Sequence, residues 1–223
     1  MASRETMKKK QDNFAELDGE LSARERLILA ALDVIEEVGF ARFSLRRVAS
    51  VCGLSCSAPY KHFKNKREVI EAILLHINAD WYRRQDLVLK RFEKSPLRVQ
   101  LVELSLEFVR FMVENPQFRS ILMIHDATFS TEFLEIKAGL SAYSKKLIRQ
   151  YCDETGMPLE QAKRKMYVVR SLIYGTSLMF ANRELPYTDD MMKFVRAAID
   201  REFDLPWLGD DAPEDVLSRT NQR

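Results

Sequence analysis

Ser44-Leu45-Arg46-Arg47-Val48-Ala49-Ser50-Val51-Cys52-Gly53-Leu54-Ser55-Cys56-Ser57-Ala58-Pro59-Tyr60-Lys61-His62-Phe63 is the stretch on which the fold turns. Ser44 is a natural N-cap, because its hydroxyl can accept a backbone N–H of the first helical turn. Leu45, Val48, Ala49 and Cys52 then share one face of a short helix. Gly53 ends that helix, and Ser55 can cap a second short one with Pro59 inside it. Two short helices joined by a three- to four-residue turn containing Gly make a helix-turn-helix, whose second helix enters the major groove of DNA. Ser55, Cys56, Ser57 and Ala58 are small and leave that leading end slim enough to approach base edges. Tyr60, Lys61 and His62 place donors where phosphates would run, and Lys66 begins the next helix ready for another.

Charge around this stretch points the same way. From Val38 to Arg67 there is no acidic residue, while Arg42, Arg46, Arg47, Lys61, Lys64, Lys66 and Arg67 are cations. Residues 1–67 hold 13 Lys/Arg against 9 Asp/Glu, and the remainder holds 22 against 24, so the overall +2 conceals a basic front. A cation-only segment suits a polyanion, since each neutralised phosphate releases condensed counterions. On charge alone, a solvated basic face is an equal reading.

Working outward, every periodic segment is helical and no strand pattern occurs, so the expected class is all-α with about nine helices. A helix is expected from Ser22 to Val38, with Gly39 as its left-handed stop. Asn65, with Glu68 three residues on, caps a long helix to Arg91. Ser95-Pro96 opens a helix that is apolar on more than one face and therefore central. A short apolar helix follows Asn115-Pro116 through Ile124. Further helices are expected over 132–155, 158–181 and 188–203. The division is a flexible tail (1–20), a helix-turn-helix domain (21–67), a helical effector-binding and dimerisation domain (68–205) and a frayed end (206–223).

These residues carry a family resemblance. Gly39-Phe40, Ser44, Val48-Ala49, Gly53-Leu54-Ser55, Tyr60-x-His62-Phe63 and Lys66 stand in an order that resembles the DNA-binding domain of TetR-family transcriptional regulators. The resemblance implies a homodimer on a palindromic operator in double-stranded DNA, usually as a repressor, with a helical C-terminal domain that takes a small effector. It implies that Ser44, Tyr60, His62 and Lys66 hold phosphates, and that Ser57, Ala58 and Lys61 lie nearest the bases. Ile173-Tyr174-Gly175 resembles a motif of some members, in which the residue before the glycine is often His; Tyr174 departs from it and leaves the effector open.

The composition is that of an ordinary globular chain, with 46% apolar and 30% charged residues. No apolar run approaches the roughly 20 residues that span a bilayer, and residues 1–10 do not read as a secretory signal. Cys52, Cys56 and Cys152 are odd in number and fit reduced thiols in a cytoplasmic protein. Cys52 and Cys56 read either as a thiol sensor or, more commonly, as small buried residues. No metal or cofactor is expected. An all-helical enzyme or carrier is the competing class, but no nucleophile–base pair or phosphate-cradling loop supports it. A third reading is an architectural DNA-binding protein without effector.

Two further surfaces are expected. Phe108, Phe111, Met112, Met123, Phe129, Phe133, Tyr143, Met166, Tyr167 and Tyr174 are large, adaptable side chains that suit an apolar effector pocket, or else simply fill the core. Arg170 interrupts an apolar face, where it would snorkel, pair across a dimer or bind an anionic effector. Val168, Leu172, Gly175 and Met179, with Met192, Val195 and Ile199, are expected to form the two-fold interface.

Overall fold

A computed structural model describes residues 21–122 and 131–205, and all regular structure among them is helical. The first helix, α1 (Ala23–Val38), starts with a capping box. Ser22 Oγ accepts from Glu25 N–H at 3.2 Å and Glu25 Oε2 accepts from Ser22 N–H at 2.8 Å. These bonds hold the exposed Glu25 carboxyl below its ordinary pKa. Gly39 ends α1 with φ 75° and ψ 161°, an extended conformation open to glycine, and not the left-handed helical cap expected.

Helix α2 (Leu45–Val51) is followed by a 3₁₀ turn (Ala58–Lys61) and the long α3 (Lys66–Arg91). Asn65 caps α3 by accepting from Glu68 N–H at 3.0 Å. The body then comprises α4 (Leu97–Glu114), α5 (Pro116–Leu122), α6 (Thr131–Gly139), α7 (Ala142–Thr155), α8 (Leu159–Ala181) and α9 (Asp189–Asp204). α4 is the central helix and packs against α3, α5, α7, α8 and α9. Its two-sided apolar pattern is satisfied by burial of Leu101, Val102, Leu104, Leu106, Phe108, Val109, Phe111 and Met112.

The helix expected over 132–155 is broken in two. Apolar periodicity runs through the break, but Leu140 and Ser141 form a turn after Gly139. Donors from α3 take the carbonyls this frees. Asn78 Nδ2 reaches Ile136 O (2.7 Å), Tyr82 Oη reaches Gly139 O (2.9 Å) and Trp81 Nε1 reaches Leu140 O (2.9 Å). Gly139 is required by close approach, since a Cβ there would lie 2.9 Å from Tyr82 Oη and 3.3 Å from Asn78 Nδ2.

α9 is held on the body by its C-terminal end. The buried Lys165 of α8 donates to Glu202 O (2.7 Å) and Leu205 O (2.6 Å), supplying positive charge where the helix dipole is negative. Arg98 of α4 pairs with Asp200 and Asp204, and Arg196 pairs with the buried Glu103. One hydrophobic core runs from Leu27 of α1 to Phe203 of α9. α3 crosses the expected 67/68 boundary without interruption.

Candidate nucleic-acid interface

The helix-turn-helix is anchored from beneath. Leu45, Val48, Ala49 and Val51 of α2 are buried, as are Pro59 and Phe63 beyond the turn. Phe63 is 1% exposed, with the Arg24 guanidinium over its ring at 5.1 Å. Ser44 caps α2 as expected, accepting from Arg47 N–H at 3.4 Å. Gly53 adopts φ 66°, and Leu54 N–H closes the turn onto Ala49 O at 2.9 Å.

The expected second α-helix is a single 3₁₀ turn. Pro59 removes a donor, and the preceding Ser-Cys-Ser run has weak helix propensity, so little drives an α-helical register. Ser55 is not the cap. Its hydroxyl lies 3.1 Å from that of Ser57, and its carbonyl accepts from Ala58 N–H at 3.0 Å.

The outer face of this unit is polar and cationic. Ser44, Arg46, Ser55, Ser57, Tyr60, Lys61 and His62 are exposed, and Ala58 is half-buried. Tyr60 keeps 52% of its surface. Arg47 leans toward Glu37 of α1 at 3.7 Å.

Lys66 is the exception among the expected contacts. Its Nζ donates to Phe40 O at 2.8 Å and sits 4.0 Å from the centre of the Phe40 ring. It therefore ties the α1–α2 connection to the start of α3. Sequence spacing gave no sign of this, because the acceptor lies 26 residues away.

Burial pushes the Cys52 thiol up to about 11, which keeps it protonated at neutral pH, while Cys56 is exposed. Among the described residues no group of three or more His, Cys, Asp or Glu could hold a metal.

The residues expected to line a pocket are brought together in part. Trp81 stacks against Phe108 and Phe111, each at 5.2 Å between ring centres, and Tyr174 meets Phe108 at 5.4 Å. Phe111 and Met112 are fully buried; Met166, Tyr143 and Tyr174 are half-buried, while Tyr167 is exposed on the outer face of α8 and lines no pocket among the described residues. Tyr143 stands at the α6–α7 turn, donating to Asp86 at 2.7 Å. Arg170 is exposed, its guanidinium over the Tyr174 ring at 5.3 Å, so the burial cost expected for it does not arise. Met123 and Phe129 lie outside the described residues, as does the Phe133 side chain. So do the stretches 1–20 and 206–223.

The expected interface residues divide. On α8, Val168, Gly175 and Met179 are exposed and Leu172 is half-buried, beside the exposed Tyr167 and Leu178. On α9, Met192, Val195 and Ile199 face inward and belong to the core, 8%, 6% and 0% exposed. The apolar stripe of α9 is used within the protomer. Phe194, 70% exposed, is the large residue α9 presents outward, and the sequence reading missed it.

Residues 27–73 match the family model of the bacterial regulatory proteins, tetR family. The N-terminal domain is similar to that of the tetR family. The TetR-type domain is thus the helix-turn-helix just described, with α1 and the first turns of α3. The nucleoid occlusion factor SlmA is similar in sequence. That of Marinobacter nauticus is 28% identical over 45% of this chain and 51% of its own length, so the chain spans about half of that relative. That of Yersinia pseudotuberculosis is 24% identical over 82% of this chain and 90% of its own. Among solved structures, a TetR family transcription regulator from Marinobacter aquaeolei superposes with TM-score 0.64, at 18% identity, over 80% of this chain and 94% of that one. FadR from Bacillus subtilis, solved with stearoyl-CoA, gives TM-score 0.66 at 15% identity over 80% and 96%. These two likenesses show that the body behind the TetR-type domain has the same fold. No helix among the described residues is long and apolar enough to cross a membrane.

Proposed function

We propose that this chain is a cytoplasmic, sequence-specific transcriptional repressor that binds a palindromic operator as a homodimer and is released by a small, largely apolar effector. The observation that carries the DNA-binding part is the recognition turn. Small residues and cations stand exposed on a buried footing of Pro59 and Phe63. Ser57, Ala58 and Lys61 would read base edges, while Ser44, Arg46, Tyr60 and His62 would hold the backbone.

A palindrome calls for two such turns about 34–36 Å apart, hence a two-fold partner. The exposed α8 face, Tyr167, Val168, Gly175, Leu178 and Met179, with Phe194 of α9, supports that role. The effector part is supported by the aromatic cluster between α3, α4 and α8, and by the acyl ligand named for the FadR neighbour of the same fold. A ligand acts by its differential affinity for the two arrangements of the dimer; a coupling of about 1–3 kcal/mol alters operator affinity roughly 5–150-fold.

The test is a gel shift against inverted repeats in the DNA flanking the gene, with a thermal-shift screen of apolar compounds and operator titration of the hits. Absence of any preferred duplex would overturn the reading. A second reading, a DNA-bound protein without effector, is favoured by the similarity to a nucleoid occlusion factor and by the fully buried Phe111 and Met112. Hits that stabilise the protein yet leave operator affinity unchanged would select it.

A further inference from the structure

One face of α3 looks into the body and carries Asn78, Trp81 and Gln85 at helical spacing. Asn78 is 7% exposed and Gln85 is completely buried. Both amide nitrogens point to the α6–α7 turn: Asn78 Nδ2 donates to Ile136 O at 2.7 Å and Gln85 Nε2 to Leu140 O at 3.5 Å. The short bond fixes the sense of the Asn78 amide and the longer contact favours the same sense at Gln85, because a flipped group would set its oxygen against a carbonyl oxygen. Asn78 Oδ1 and Gln85 Oε1 are consequently buried with no hydrogen-bond partner among the described residues. Protein interiors seldom leave such acceptors unsatisfied, because their lost hydration is not repaid. Here two occur on one helix face, bracketing Trp81, whose ring meets Phe108 and Phe111.

We infer that Asn78 Oδ1 and Gln85 Oε1 are the polar end-points of the effector site, and that the effector is an apolar molecule bearing two hydrogen-bond donors. The inference rests on the effector part of the proposed function and gives it a ligand class. Both protein groups are neutral acceptors, so hydroxyl or N–H groups match them. A carboxylate would meet the negative ends of two amide dipoles, which disfavours a free fatty acid. A bound molecule would join α3 beside the turn that α3 already holds, and so act on the helix that begins at the recognition unit.

The experiment uses the full chain with 4,4′-dihydroxybiphenyl, an apolar skeleton with a hydroxyl donor at each end, and with 4,4′-dimethoxybiphenyl, the same skeleton without donors. The dihydroxy compound is expected to raise Tm and to change operator affinity about five-fold or more; the dimethoxy compound is expected to do neither. Gln85→Met exchanges the orphan acceptor for an apolar group of similar size and gives up the long Nε2 contact to Leu140 O, a carbonyl that Trp81 Nε1 still serves. Its ligand-free Tm is expected to hold or rise while the dihydroxy response disappears, and Asn78→Leu is expected to lose the response likewise. Equal action of both compounds would overturn the inference and leave the effector reading standing. No action of either, on protein that still binds its operator, would overturn it and leave DNA binding untouched. A dihydroxy response retained in Gln85→Met or in Asn78→Leu would also overturn it.

Discussion

Lys66 and His62 stand four residues apart and the sequence treats them alike, yet the fold gives them different work. His62 is exposed on the outer face of the recognition unit, whereas the ammonium of Lys66 is bonded to Phe40 O and lies over its ring. His62→Ala is expected to weaken binding to specific and random duplex alike and to flatten the salt dependence, since a phosphate contact carries no sequence information. Gel shifts at several salt concentrations check this, and unchanged affinity would remove His62 from the interface. Lys66→Ala is expected to lower stability by about 1–2 kcal/mol even without DNA, through loss of the charged hydrogen bond and the ring contact. Thermal denaturation of the free protein separates the two cases. Ser57→Ala is expected to alter the preferred site with little loss of non-specific affinity, as read by selection from random duplexes. Exposed residues such as Tyr60 and His62 were legible because their chemistry is local to the turn. Lys66 was not, because its acceptor comes from a distant part of the chain.

At the scale of helices, the ends of α1 and α3 were legible because caps are written in neighbouring residues. Asn65 and Glu68 suffice to begin α3. The break at Gly139 was not legible, because the apolar repeat of 132–155 continues through it and the cause lies on α3. Gly139→Ala is expected to cost about 1–3 kcal/mol by driving a methyl group against Tyr82 Oη. Tyr82→Phe removes that oxygen, so the double variant should be less destabilised than the sum of the two singles; strict additivity in denaturant melts would argue against the contact. The C-terminal end of α9 has a pH signature. Its hydrogen bond with Arg98 holds the Asp204 carboxyl below the ordinary carboxylate value. A carboxylate whose pKa is depressed by folding stabilises above its unfolded pKa, and that contribution fades as pH falls through the folded one. Asp204→Asn is therefore expected to lessen the fall of Tm with acidification below about pH 4.

For the molecule as a whole, the sequence showed that α9 has an apolar face but not what covers it. Met192, Val195, Ile199 and Phe203 repeat identically whether the cover is a partner or the protomer's own α4, and the fold uses α4. Phe194 falls outside that repeat and so went unnoticed. Val195→Asp is accordingly expected to unfold the protomer, not merely to part a dimer, because it buries a charge in the core. Gly175→Leu behaves differently. A Cβ at Gly175 meets nothing within 4 Å of it in the protomer, so the larger side chain is accommodated until a partner approaches. Gly175→Leu combined with Phe194→Asp is expected to yield helical monomers that have lost operator affinity. Sedimentation with circular dichroism checks both, and a dimer that survives the pair of substitutions would place the two-fold contact elsewhere.

α3 spans 26 residues, a rod of about 39 Å. Asn78 lies some 18 Å along it from the end at Lys66. The grip of Lys66 on Phe40 fastens the recognition unit to that end, so the unit must travel with the rod. Moment-arm geometry then sets the scale. A tilt of about 10° pivoting at Asn78 sweeps the Lys66 end through about 3 Å, and in the proposed dimer a two-fold mate moving in the opposite sense would double it to about 6 Å, against a rise of about 3.4 Å per base pair. In that dimer, a rotation of so few degrees at the pivot would slip the two reading heads by nearly two steps of the DNA ladder.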